Sequence, residues 1–459
     1  MNLKKFETDL SRGSVGKQLW KFALPFILSN LIQSLYSVVD MVIVGRYCGA
    51  ASMSGVNIGV QITLLITNLV IGLCAGGTTL IAQYMGRGNR KALKETIGTL
   101  LSALVVLGVV LTAFMVLAKV PLLNLVRTPV ESFSEADSYL VVTALGTIFI
   151  FGYNALSAIM RGMGDSKNPL IFVGIACVTN IVLDYVLVAV FDMRARGAAI
   201  ATVISQAASM ILCILYLKRN DFIFDFSLSS FRFHKERLGM LMKVGIPTSV
   251  QNVIVGMSFL FLTTLVNTMG VTESAALGAV AKFNTFAILP ALAMSASIAA
   301  MSGQNLGAGE TERAVKTMKL GTVIGFSMSA VIFAIAQLFP EVVLKIFDDD
   351  PAMIAAGKEY MRAFNFDYLL ASVMFGFNGL FIGSGHTTFT LFNSVLSSVL
   401  IRVPMAYLGG IVLQWGMFGV GLAGPLSSAV SLCLCIGYFM SGKWKKMVII
   451  KNELPKTAE

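Results

Sequence analysis

Asp40 and Asp184 stand in stretches that are otherwise apolar, and each has polar neighbours at helical spacing. Gln33, Tyr36 and Asp40 are spaced i, i+3, i+7, which places them on one face of a helix. Asn180 and Asp184, at i, i+4, share another face. Tyr139, Asn154 and Thr202 add hydroxyl and amide groups from nearby apolar stretches. Two carboxylates with an amide oxygen and a hydroxyl suit either a proton relay or an oxygen-coordinated Na⁺. The bland alternative is that each acid lies near a span end and touches lipid headgroups. An ionisable group inside a bilayer costs about 2.5–3.5 kcal/mol on insertion scales, so a pair with polar company reads as functional.

The second half carries three further ionisable candidates, Lys282, Asp367 and Arg402. For Lys282 and Arg402, pairing with Asp367 or with carbonyls, or snorkelling, explains the charge better than substrate contact. Pro25 removes a helix hydrogen bond inside the first apolar stretch, as a moving hinge or as a static kink. Nothing in the chain suits catalysis: there is no nucleophile elbow and no phosphate-cradling loop. His234 and His386 are the only histidines, and Cys433 and Cys435 point to different sides of a helix, so neither a metal site nor another cofactor is expected.

The elements that hold these residues are membrane spans. Only 13% of residues are charged, against about 25% in a soluble chain, and the mean hydropathy is +0.79. Twelve apolar runs approach or exceed the roughly 20 residues needed to cross a bilayer. They lie near 18–44, 53–84, 95–118, 135–159, 168–190, 197–217, 239–267, 275–303, 315–338, 354–382, 388–412 and 418–440. The runs do not alternate, which excludes a β-barrel. The N-terminal stretch Met1 to Gly16 is polar and lacks the pattern of a cleaved leader, so the first span is expected to be retained.

The chain also repeats itself. Gln83-Tyr84-Met85-Gly86-Arg87-Gly88 returns as Gln304-Asn305-Leu306-Gly307-Ala308-Gly309, and Pro25 and Asn30 return as Pro247 and Asn252. The expectation is an all-α membrane protein of twelve transmembrane helices in two parallel six-helix repeats. The lobes are read as 1–217 and 239–440, the polar stretch 218–238 as a cytoplasmic linker, and 441–459 as a basic cytoplasmic tail. The acidic pair is not repeated. The position matching Asp40 is Leu262 and the one matching Asp184 is Ala406, so ion coupling is expected of the first half alone.

Lys and Arg concentrate before the first span, at 87–94, at 218–237 and after 440, which puts both termini inside. The outer exceptions include Arg194, Arg196, Lys358 and Arg362. The net charge of +11 then reflects topology and anionic lipid, and because the basic residues are spread over separate loops no nucleic-acid partner is expected.

At these residues the chain resembles the multidrug and toxic compound extrusion (MATE) transporters over about 15–440. The motifs are Val38-Val39-Asp40-Met41-Val42-Ile43-Val44-Gly45, Gln83-x-x-Gly86-x-Gly88, Arg161-Gly-Met-Gly-Asp165-Ser-Lys-Asn-Pro169, Asn180-x-x-x-Asp184-Tyr185, Gly197-Ala-Ala-Ile-Ala-Thr202 and Arg402-Val-Pro404. The resemblance implies a MATE-like fold in the plasma (inner) membrane and export of small organic, mostly cationic substrates by a monomer driven by H⁺ or Na⁺. It implies an ion or proton site at Asp40, Asn180, Asp184 and Thr202, with Tyr36, Tyr139 and Asn154 nearby. Independently of the resemblance, the polar face that carries Gln33 and Tyr36 is expected to line the substrate cavity, because it cannot face lipid without cost. One branch of the family carries an acidic residue in its seventh helix. Span 7 here has none, so the chain looks like the branch often called DinF-like. A lipid or lipid-linked precursor flippase of the same superfamily is the alternative, which the acids argue against.

Overall fold

A computed structural model of the protein describes residues 7–446. The expected basic tail therefore lies outside the described residues from 447 onward. The described chain is helical, with no strand among its residues. The first element, α1 (Val15–Arg87), is two helices joined at Gly49, where φ is 81°. That left-handed value is open to glycine and costly for other residues. There follow α2 (Arg90–Leu117), α3 (Lys119–Leu125), α4 (Val130–Leu145), α5 (Thr147–Gly162), α6 (Lys167–Asp184) and α7 (Arg194–Arg219). The second half contains α8 (Lys235–Asn267), α9 (Val271–Ala287), α10 (Leu289–Gly307), α11 (Thr311–Leu338), α12 (Pro340–Lys345) and α13 (Pro351–Phe364). It ends with α14 (Phe366–Gly383), α15 (Thr387–Val395), α16 (Val403–Tyr407) and α17 (Gly416–Met440).

Among the described residues ten helical stretches are long and apolar enough to cross a membrane, and the pair α4–α5, bent by 52°, makes eleven. Separating α1 at Gly49 brings the number to twelve. Three of the expected spans are broken rather than continuous. The break at Gly146 sits against α7, and a Cβ there would lie 2.2 Å from the Val203 side chain. At Ile288 the chain restarts with Pro290 in the first turn of α10, where a missing N–H costs nothing. At Asn365 the side-chain amide donates to Gln337 Oε1 at 3.0 Å.

The chain forms two compact units, and their limits do not coincide with the polar linker. One unit holds residues up to Asp9 and Leu24–Gly245, the other Leu10–Ala23 and Ile246 onward. The two helix crossings, 23/24 and 245/246, are 222 residues apart and fall just before Pro25 and Pro247. In the first unit the linker is tied down. Arg237 reaches Glu95 at 3.2 Å and the Tyr84 hydroxyl at 2.6 Å, and its guanidinium lies over the Tyr84 ring. His234 N–H donates to Thr99, and Phe224 packs edge-on against Phe226 and Phe231.

In the second unit Arg313 performs the matching task for residues 10–18. It donates to the carbonyls of Leu10, Arg12 and Gly13 and to the side chains of Gln18 and Asn305. Leu10, Val15, Leu19 and Phe22 join Met294, Ile298 and Met318 in one buried cluster. Helices α10 and α14 press together through glycine, since a Cβ on Gly383 would lie 2.5 Å from the Ala299 carbonyl oxygen.

Candidate ion-coupling site

All parts of the acidic site lie in the first unit. Asp40 is carried by α1 between Pro25 and the Gly49 break, and it is buried. Asp184 ends α6 and is fully buried, with buried Asn180 one turn before it. After Asp184 the chain widens into a π-helical turn, Tyr185–Val190. Such turns concentrate at functional sites. The second half has a π-helical turn at Leu408–Val412, starting two residues after Ala406. The irregularity thus belongs to the repeated architecture, and the carboxylate to one copy of it.

The structure brings Asp40 and Asp184 together. Their carboxyl groups interact at hydrogen-bonding range. No N–H or O–H donor reaches Asp40 Oδ1 or either oxygen of Asp184, and both polar atoms of the Asn180 amide are buried without partners. Two carboxyls can hydrogen-bond only if a proton sits between them, because an ionised carboxylate has no donor. The group therefore offers a place for a proton, or oxygen atoms for a small cation.

Two tyrosines close over the pair. The Tyr36 and Tyr139 hydroxyls feel both Asp40 and Asp184, and Thr202 of α7 stands beside Tyr139. Tyr139 seats closely because Gly59 faces it, where a Cβ would lie 2.4 Å from the ring. Gln206 of α7 stands beside Tyr36 with its own Oε1 buried and unpartnered, a residue that sequence reasoning passed over. Its signal was present: Gln206 is four residues after Thr202 and shares its helix face. Gln33 and Asn154 are half-buried, and the Asn154 amide donates to its own helix at Ile150. Pro25 is half-buried inside α1, and its carbonyl accepts from Ser29.

The second-unit candidates separate. Lys282 lies exposed on α9. Asp367 and Arg402 are both buried and interact electrostatically. Asp367 accepts a hydrogen bond from Ser428 at 2.5 Å, while Arg402 donates to Ser258 and lies 4.7 Å over the Phe259 ring. Asp367 borders a cavity of about 300 Å³ walled by Phe259, Tyr360, Phe364 and Tyr368. No cluster of three or more metal-ligating side chains occurs among the described residues.

The helices define a multi-pass membrane protein, and the family its sequence matches is one of transporters, not of enzymes. The chain belongs to the MatE family, whose profile matches it twice, over residues 25–186 and 247–408. It is 29% identical to the probable multidrug resistance protein YpnP of Bacillus subtilis, over 97% of this chain and 99% of that one. It is 28% identical to the probable multidrug resistance protein NorM of Thermotoga maritima, over 96% of each chain. Among solved structures, an outward-facing multidrug resistance MATE transporter of the MOP superfamily superposes with a TM-score of 0.89 at 23% identity. That match covers 95% of this chain and 98% of that one.

Proposed function

We propose that the protein is a secondary active multidrug efflux antiporter of the cell membrane, with both termini cytoplasmic. It exports small organic, mostly cationic compounds in exchange for H⁺ or Na⁺ and works as a monomer. One observation carries this reading: a buried carboxyl pair, Asp40 and Asp184, surrounded by unpartnered oxygens in the first unit, where the second unit has Leu262 and Ala406. The multidrug resistance names of its relatives support the substrate class. The one-sided pair supports the branch that couples through its first half.

The chemistry is competition. A cationic substrate near Asp40 and Asp184 is held by their negative charge. A proton or Na⁺ taken up there, with Asn180 and Thr202 contributing oxygens, cancels that charge and releases the substrate. Gln33, Tyr36, Tyr139 and Asn154 provide the polar wall, which cannot face lipid without cost. Pro25 acts as the hinge that lets the Asp40 helix bend. Dye efflux from proteoliposomes under a pH gradient and, separately, a Na⁺ gradient tests the reading. Export should follow one of the two gradients in wild type and neither in Asp40→Asn or Asp184→Asn. Normal export by both variants would sink it.

A further inference from the structure

A cavity of about 680 Å³ lies wholly within the second unit, between the ends of α11 and α13 and the start of α17. It is unrelated to the acidic site. Lys358 and Arg362, one turn apart on α13, stand at it with exposed side chains. They are two of the basic residues that break the inside bias of the rest of the chain. Lys358 shares Glu341 with Lys345, at a loose 3.4 Å. Arg362 has no hydrogen-bond or ion-pair partner among the described residues. At the floor, Asn365 is fully buried. Its amide N–H donates to Gln337, and its carbonyl oxygen Oδ1 is left with no donor. A buried acceptor left unmade costs about 1–3 kcal/mol, so the site is built to receive an N–H or O–H.

The surroundings locate the site at a membrane boundary. Leu338, Phe339, Val342 and Phe366, which neighbour the lining residues in sequence, are exposed apolar side chains, 70%, 57%, 62% and 48% accessible. Trp415, 48% accessible at the foot of α17, sits one turn from the lining Phe418. An exposed tryptophan at a span end marks the headgroup level. The cavity thus combines a free guanidinium, a lysine shared with Glu341, the Glu359 carboxylate that accepts from the Phe418 N–H, an unmet acceptor and an apolar skirt.

We propose that this cavity holds the headgroup of an anionic glycerophospholipid. The phosphodiester lies on Arg362 and Lys358, because a guanidinium matches phosphate oxygens in bidentate fashion. A headgroup hydroxyl donates to Asn365 Oδ1, and the acyl chains run along the exposed apolar side chains. Phosphatidylglycerol has the required charge and hydroxyls. Phosphatidylcholine has neither a net charge nor an N–H or O–H.

The test is lipid binding to the whole protein in nanodiscs, read by competition with a fluorescent phosphatidylglycerol and by melting temperature. Wild type should prefer phosphatidylglycerol to phosphatidylcholine at least tenfold. Arg362→Gln, an exposed substitution that leaves the fold intact, should erase most of that preference. Asn365→Asp keeps the side chain's size but adds negative charge, and should weaken binding further. Equal affinity for the two lipids, or an undiminished preference in the Arg362→Gln, Lys358→Gln double variant, overturns the proposal. Glycerol 3-phosphate is the soluble arm. If it displaces the labelled lipid at micromolar concentration through Arg362, the cavity serves a free phosphorylated polyol and the lipid assignment fails.

Discussion

Leu262 and Ala406 lie in one buried apolar cluster of the second unit, at the positions that match Asp40 and Asp184 of the first, each 222 residues later. Tyr360 lies in the same cluster and matches Tyr139, 221 residues earlier. The duplicated architecture thus builds the same pocket twice. In one unit Leu262 and Tyr360 line a cavity that Asp367 also borders, and in the other the positions matching Leu262 and Ala406 carry the carboxyl groups of Asp40 and Asp184.

This asymmetry makes the two places respond oppositely to substitution. Asp40→Asn and Asp184→Asn should each abolish gradient-driven export while the protein inserts and folds as before. Leu262→Asp should do the reverse of a gain. It leaves an unpaired acid in an apolar cluster, so the yield of folded protein should fall, by a cost of a few kcal/mol. Vesicle efflux assays and size-exclusion profiles of the purified variants check both halves.

Proton competition predicts a pH dependence with a definite sign. Carboxylates bind a cationic dye when ionised, so lowering the external pH protonates them and weakens dye binding in wild type. The Asp40→Asn, Asp184→Asn double variant should bind weakly at every pH. Fluorescence titrations at several pH values decide it, and a double variant that keeps the full pH dependence shows the proton acting elsewhere.

Arg237 anchors the linker to the first unit through Glu95 and Tyr84, with a side chain 9% exposed against 21% for Glu95. Removing one partner of a buried pair costs roughly 3–5 kcal/mol, and the partial exposure of Glu95 puts Arg237→Ala at the low end. Its thermal midpoint in detergent should drop by several degrees. Arg313→Ala removes the hydrogen bonds that hold residues 10–18, so trypsin should cut faster after Arg12 or Lys17. Unchanged cleavage would show that the apolar cluster around Leu19 and Phe22 holds the segment unaided.

Glycines separate by what faces them. Gly383→Ala drives a Cβ to within 2.5 Å of the Ala299 carbonyl and should cost about 1–3 kcal/mol by forcing α10 and α14 apart. Gly437, in α17, faces nothing within 4 Å, so Gly437→Ala should stabilise by up to about 1 kcal/mol. Paired melting curves check the contrast, and a Gly383→Ala variant as stable as wild type would show that the helices can shift.

The sequence by itself determined the membrane class, the duplication and the presence of an acidic pair in one repeat. Hydropathy accumulates over some twenty residues and repeats survive as spaced motifs, so both are local or periodic signals. The face shared by Gln33, Tyr36 and Asp40 was likewise legible from helical spacing. Only the tertiary structure decided that Asp40 and Asp184, 144 positions apart, meet, since contact between distant helices leaves no periodic trace. It also decided that residues 10–23 pack into the second unit and the linker into the first. It showed that Gln206 stands beside Tyr36, and that Asn365, one polar residue among many in the sequence, ends with an unmet acceptor at a cavity. Burial and partnership belong to the packed whole, because a side chain's surroundings come from helices that the local sequence does not specify.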